Sequence, residues 1–148
     1  LLFYSGASAA EFKIFDMRNK IFEESKEIKT MLSSSKDSMM LVSLFDSCLM
    51  AVSQLDAYFN MLGIFESIKK EDLTSAPIDF LTGWLDEIKR SADMSLKNVS
   101  GITMPLEAKT KEHVAKLKSS FGELKKVADL ELYKLSFIRK TAKAKEKR

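Results

Sequence analysis

The chain has 148 residues, 45% of them hydrophobic and 30% charged, with a formal net charge of +3. That length suffices for one domain with its own core, and so large an apolar share excludes a disordered chain. One cysteine excludes an intrachain disulfide framework and any cysteine-cluster metal site, while five Gly and two Pro leave few turns and favour long helices over many short strands.

The charge is unevenly placed. Residues 1–103 carry 11 basic and 15 acidic side chains, whereas residues 104–148 carry 13 basic and 6 acidic ones. The basic character therefore belongs to the last segment.

The stretch from Leu1 to Ala9 has an apolar start and an Ala7-Ser8-Ala9 triplet of the kind that ends a signal peptide. The charged n-region of such a signal is missing, so a plain lead-in to the first helix is the simpler reading. Ser8 and Glu11 have capping-box spacing and open a helix expected over 8–33. Ile14, Ile21 and Ile28 recur every seven residues with Met17 and Met31 between them, and Phe15 and Phe22 widen the stripe. Glu23, Glu24 and Glu27 are expected on a solvated face with Lys20 and Lys26.

Ser33 to Asp37 forms the first connection, with Ser35 or Asp37 as N-cap. The helix expected over 38–70 is the most apolar stretch of the chain. Between Ser38 and Phe65 its only charges are Asp46 and Asp56. Its densest stripe is Leu41, Leu44, Phe45, Cys48, Val52, Leu55, Phe59 and Leu62. A helix so apolar needs cover on nearly every side, from the chain itself or from a partner. Asp46, Gln54, Asp56 and Asn60 argue against a membrane span, since one central Asp costs ~2.5–3.5 kcal/mol on insertion scales. The two aspartates lie about 80° apart around the helix and are not an acid–base pair. With Ser43, Ser47, Ser53 and Asn60 nearby, they are expected to mark its wet edge.

Thr74 or Ser75 caps the next helix, expected over 76–99, with Pro77 in the first turn where its missing N–H costs nothing. Ile78, Leu81, Leu85, Ile88, Ala92, Leu96 and Val99 form one clean stripe. Asn98 to Pro105 reads as the third turn, with Gly101 as helix stop and Thr103 as the next cap. The last helix, over 104–140, carries Leu106, Val114, Leu117, Phe121, Leu124, Ala128, Leu132, Leu135 and Ile138. Its lysines are expected to point outward, with Glu112, Glu123, Asp129 and Glu131 breaking their field. Residues 141–148 read as a frayed basic tail. Short connections make sequential helices antiparallel neighbours. The expected fold is a single all-α domain, an antiparallel four-helix bundle running up-down-up-down with a long last helix.

No residue pattern points to a reaction, so catalytic residues, cofactors and metals are not expected. Cys48 lies on a core stripe, whereas a reactive thiol needs an electropositive, partly open setting. His113, the single histidine, is expected at the surface or boundary of its helix. The expected function is a non-enzymatic binding module that contacts another protein, with Met39, Met50, Tyr58, Met61 and Trp84 as candidate partner-binding residues. Met suits adaptable apolar surfaces, and a homodimer through the central helix would cover its excess apolar area. Apolar-ligand or membrane-surface binding is an alternative, without a spanning segment. Nucleic-acid binding through the last helix is a second and weaker one, because that helix has no Arg before Ile138. Lys140, Lys143, Lys145, Lys147 and Arg148 are the candidate anion-contacting residues. By compositional analogy with Lys- and Ser-rich surface bundles, a secreted or cell-surface location is favoured over the cytoplasm.

Overall fold

Regular apolar periodicity with almost no interior helix breaker produces four long helices in the computed structural model, which describes the backbone of residues 9–147 and the side chains of residues 13–147. They are α1 (Ala9–Met31), α2 (Ser38–Glu66), α3 (Ser75–Ser100) and α4 (Ala108–Glu146), with a single 3-10 turn at Lys70–Asp72. No strand occurs among the described residues, so the fold is all-α. The expected capping box of Ser8 and Glu11, most of the signal-like lead-in and the terminal Arg148 lie outside the described residues.

α1 packs on α2 and α4, and α3 packs on the same two helices. One core runs through all four. α1 supplies Ile14, Met17, Ile21 and Ile28, and α3 supplies Ile78, Leu81, Leu85, Ile88, Ala92 and Val99. Both follow their predicted periodicity, except that Phe15, expected to widen the α1 stripe, is 52% exposed and Leu96 of α3 is half-buried. The buried side of α2 is turned slightly from its expected stripe. Ala51, Tyr58 and Phe65 are buried, while Phe45 and Phe59 sit at the boundary.

Several element ends differ from expectation. α2 stops at Glu66, short of residue 70, where Ser67 Oγ donates back to the Ile64 carbonyl at 2.6 Å. α3 runs through Ser100, so Asn98 lies in its last turn and not in a loop. Gly101 ends it in a right-handed conformation. A Cβ there would sit 3.3 Å from the Lys97 carbonyl oxygen, a tight contact that a shift of a few tenths of an ångström would have to relieve. α4 begins at Ala108 after Glu107, so Thr103 caps nothing, and it continues through Glu146 instead of fraying after 140. Ala142 is buried, and Arg139 Nε pairs with Asp79 at 2.6 Å. That guanidinium holds the Asp79 carboxyl below its ordinary range.

The helix starts are closed from a distance. The Asp37 carboxylate does not cap its own helix but accepts the Glu107 backbone N–H at 2.9 Å. Glu107 in return accepts the Lys36 N–H at 2.8 Å. Likewise, Glu146 Oε1 accepts the Ser75 N–H at the start of α3 at 2.7 Å. Orphan donors at or beside the helix starts are thus satisfied by carboxylates from other elements.

Leu85 is fully buried in the core and Ile64 is 59% exposed on α2. Leu85→Ala is expected to cost about 2–5 kcal/mol of unfolding free energy, and Ile64→Ala to change it by less than about 0.5 kcal/mol. Urea denaturation of the two variants measures the contrast.

Candidate functional site

Two kinds of feature stand out once the helices are packed: an apolar outer face on α2, and polar groups drawn into the interior.

The outer face follows from helix geometry. α2 is apolar nearly all round, but its neighbours α1 and α3 cover one side of it. Met39 (87%), Val42 (54%), Leu49 (41%), Met50 (50%) and Ile64 (59%) are exposed. Asp46, Ser53 and Asn60 are exposed among them, so Asp46 does lie on the expected wet edge. Asp56 belongs elsewhere. It forms a two-pronged ion pair with Arg18 of α1, at 2.9 and 3.1 Å, and the hydrogen bond to Asp56 raises the Arg18 pKa. The sequence signal for this pair is one Arg on a helix whose other basic residues are all Lys.

Across the border with α3, Gln54 donates to Ser91 at 3.0 Å, Ser91 Oγ lies 3.8 Å from Met50 Sδ, and Met94 and Phe80 are exposed. A hollow of about 450 Å³ at the start of α2 is lined by Met39, Met40 and Met104 beside Lys36, Asp37 and Ser43. A second, of about 270 Å³ near its other end, is lined by Met61, Ile64, Phe65 and Ile68 with Pro77 and Phe80.

The candidate partner-binding residues separate accordingly. Met39 and Met50 are exposed, and Met61 and Trp84 are half-buried against the core. Tyr58 is fully buried and is unavailable to a partner, which corrects the expectation. Its position, three residues after Leu55 and four before Leu62, places it on the core side of α2. Among the candidate anion-contacting residues, Lys140, Lys143, Lys145 and Lys147 are exposed along the end of α4. Lys140 lies 5.6 Å from the Phe137 ring centroid, and Lys145 reaches the Lys70 carbonyl at 3.5 Å.

Inside, Glu131 of α4 is fully buried, against the outward position expected of it. Burial pushes its carboxyl above the ordinary range, opposed by Lys134, whose Nζ is 3.5 Å away, and by a hydrogen bond from Tyr58. Cys48 is buried as expected; burial, reinforced by the charge of Glu24, pushes its thiol up to about 12. It is not a poised nucleophile.

His113 departs most from expectation. It is buried on the core side of α4, and its Nδ1 is hydrogen-bonded to Glu24 Oε1 and lies 3.8 Å from Glu27 Oε2. One donor atom from each of the three residues lies within 4.8 Å of the others. Glu24 has therefore left the expected solvated face, while Glu23 stays on it, paired with Lys26 at 3.1 Å. The spacing Glu24-x-x-Glu27 puts two carboxylates on one helix face, but nothing in the sequence shows that His113 meets them.

Comparison with known proteins finds no matching family model, no matching characterised protein and no matching solved structure.

Glu131 gives a pH prediction. Its folded-state pKa is raised, so the folded chain holds a proton that the unfolded chain has released between the ordinary and the raised value. The penalty is absent below the ordinary glutamate pKa of about 4.3 and complete above the raised one. Glu131→Gln is therefore expected to be more stable than the native protein by about 1 kcal/mol at pH 7, with the difference closing toward pH ~4. Denaturation curves at the two pH values measure it.

Proposed function

We propose that this protein is a non-enzymatic binding module, an up-down-up-down antiparallel four-helix bundle that engages another protein through the outer face of α2 and its border with α3. The observation that carries the reading is the run of exposed apolar side chains Met39, Val42, Leu49, Met50 and Ile64 on one helix, continued by Phe80 and Met94. Exposed apolar side chains gathered on one helix face, even with Asp46, Ser53 and Asn60 among them, are the kind of surface folded proteins use for contact. The hollows at either end of the face supply anchor points for apolar partner side chains. The methionines around them can adapt to more than one shape.

The antiparallel order is supported by which residues meet. Lys89 pairs with Asp129, Asp93 with Lys125 and Asp79 with Arg139, so positions rise along α3 as they fall along α4. Gln54 with Ser91 and Phe65 beside Pro77 run the same way for α2 and α3. Spin labels at the exposed Thr30 and Lys109 are expected to lie close together. Labels at Thr30 and Ala76 should stand about 40 Å apart, the length of a 26-residue helix. Similar distances for both pairs would exclude this order.

α2 is also long and apolar enough to cross a membrane by length and composition. Its fully buried Leu41, Cys48, Leu55 and Tyr58 within the packed core support the binding-face reading instead. Val42→Glu and Leu49→Glu place charges on exposed positions and are expected to leave stability within about 0.5 kcal/mol of native. They should weaken partner capture by about tenfold or more, while leaving flotation with anionic liposomes at background. Capture unchanged by both substitutions would defeat the proposal, as would strong flotation that both substitutions abolish.

A further inference from the structure

We propose that Glu24, Glu27 and His113 form a binding site for a divalent first-row transition-metal ion, with zinc the best match; the inference is independent of the α2 contact face. Glu24 and Glu27 project from one side of α1 because they are three residues apart, and His113 meets them from α4. Their donor atoms lie within 4.8 Å of one another. A four-coordinate zinc with bonds of about 2.0–2.2 Å holds its ligand atoms roughly 3.3 Å apart. The Nδ1 to Glu27 distance of 3.8 Å needs a small rotation to meet that, and the closer Nδ1 to Glu24 contact needs to open slightly.

A plain histidine–glutamate hydrogen bond explains Glu24 alone. It does not explain why a second carboxylate faces the same ring nitrogen. Two carboxylates here confront one imidazole, and the nearby cation, Lys116, lies 3.9 Å from Glu27 while sharing itself with Glu112 at 3.7 Å. Among the described residues no Lys or Arg pairs with Glu24. A divalent ion with a neutral imidazole would balance both negative charges. Burial also divides the ligands usefully. His113 and Glu24 side chains are 8% and 11% exposed and are held by the packed helices, whereas Glu27 is 58% exposed and can swing to close the site. Three protein ligands leave the fourth position of a four-coordinate ion to a water molecule. An imidazole with two carboxylates favours zinc, cobalt, manganese or ferrous ions over calcium and magnesium, which prefer oxygen alone, and over cuprous copper, which prefers sulfur.

The test uses the full chain without a histidine tag, stripped with chelator, and titrated with Zn²⁺ by calorimetry and with Co²⁺ by visible absorption. One equivalent of ion should bind, with the intense d–d bands of a low-coordinate cobalt site and a raised Tm in zinc. Glu27→Gln should cut affinity by about tenfold or more while leaving the metal-free Tm unchanged, because its side chain is mostly exposed. His113→Gln should abolish the cobalt bands, and Cys48→Ser should bind as the native protein does, since that thiol is buried outside the donor group. Absent cobalt bands, or zinc binding of equal strength in the native and Glu27→Gln proteins, would overturn the site.

Discussion

A helix packed between two neighbours around a shared core can hide only part of its perimeter, and α2 is apolar on almost all of it. The rest of the architecture follows from that mismatch. α3 and α1 bring enough apolar surface to cover Leu41, Leu44, Cys48, Leu55, Tyr58 and Leu62. Among the described residues no further element packs closely on α2, and the surplus faces outward as Met39, Val42, Leu49, Met50 and Ile64. Burying each such side chain gains about 1.5–3 kcal/mol relative to leaving it in water. These five side chains, 41–87% exposed, forgo a large part of that gain in the folded chain.

The interior shows the complementary inversion. Glu131, His113 and Ser120 are buried on α4, while Leu130, Tyr133 and Phe137 of the same helix are exposed. Placing a carboxylate in the core weakens stability unless partners offset its lost hydration. Tyr58 and Lys134 do so in part for Glu131, and His113 does so for Glu24. These polar contacts join α2 to α4 and α1 to α4. A helix rotated or slipped out of place would strand a charge, so they restrict the packing more sharply than interchangeable apolar contacts would.

Where one face of a helix is apolar and the other charged, the sequence is readable almost residue by residue. The α3 stripe from Ile78 to Val99 is the clearest case. α2 and α4 are harder for opposite reasons. On α2 nearly every direction is apolar, so periodicity cannot say that Tyr58 points inward and Phe45 toward the boundary. On α4 the apolar stripe is interrupted by polar residues that are themselves buried, and Leu130, Tyr133 and Phe137 offer a rival face. Long-range partners leave no local trace. The capping signals at Asp37 and Thr103 mislead because the carboxylates that meet the N–H groups beside the starts of α2 and α4, Glu107 and Asp37 respectively, come from other elements. The convergence of Glu24, Glu27 and His113 is hidden for the same reason, since its members are separated by the end of α1 and all of α2 and α3.

The overlap between the end of α4 and the α2–α3 connection bears on the order in which the fold can be completed. Leu73 is buried beside Ile138 and Ala142, and the first turn of α3 is closed by Glu146. During translation, α1, α2 and α3 all emerge before the residues that roof this corner. Until then Leu73 stays wet and the Ser75 amide has no carboxylate to receive it. The first three helices are made first, yet the lock on the joint between α2 and α3 is delivered by the segment made after them.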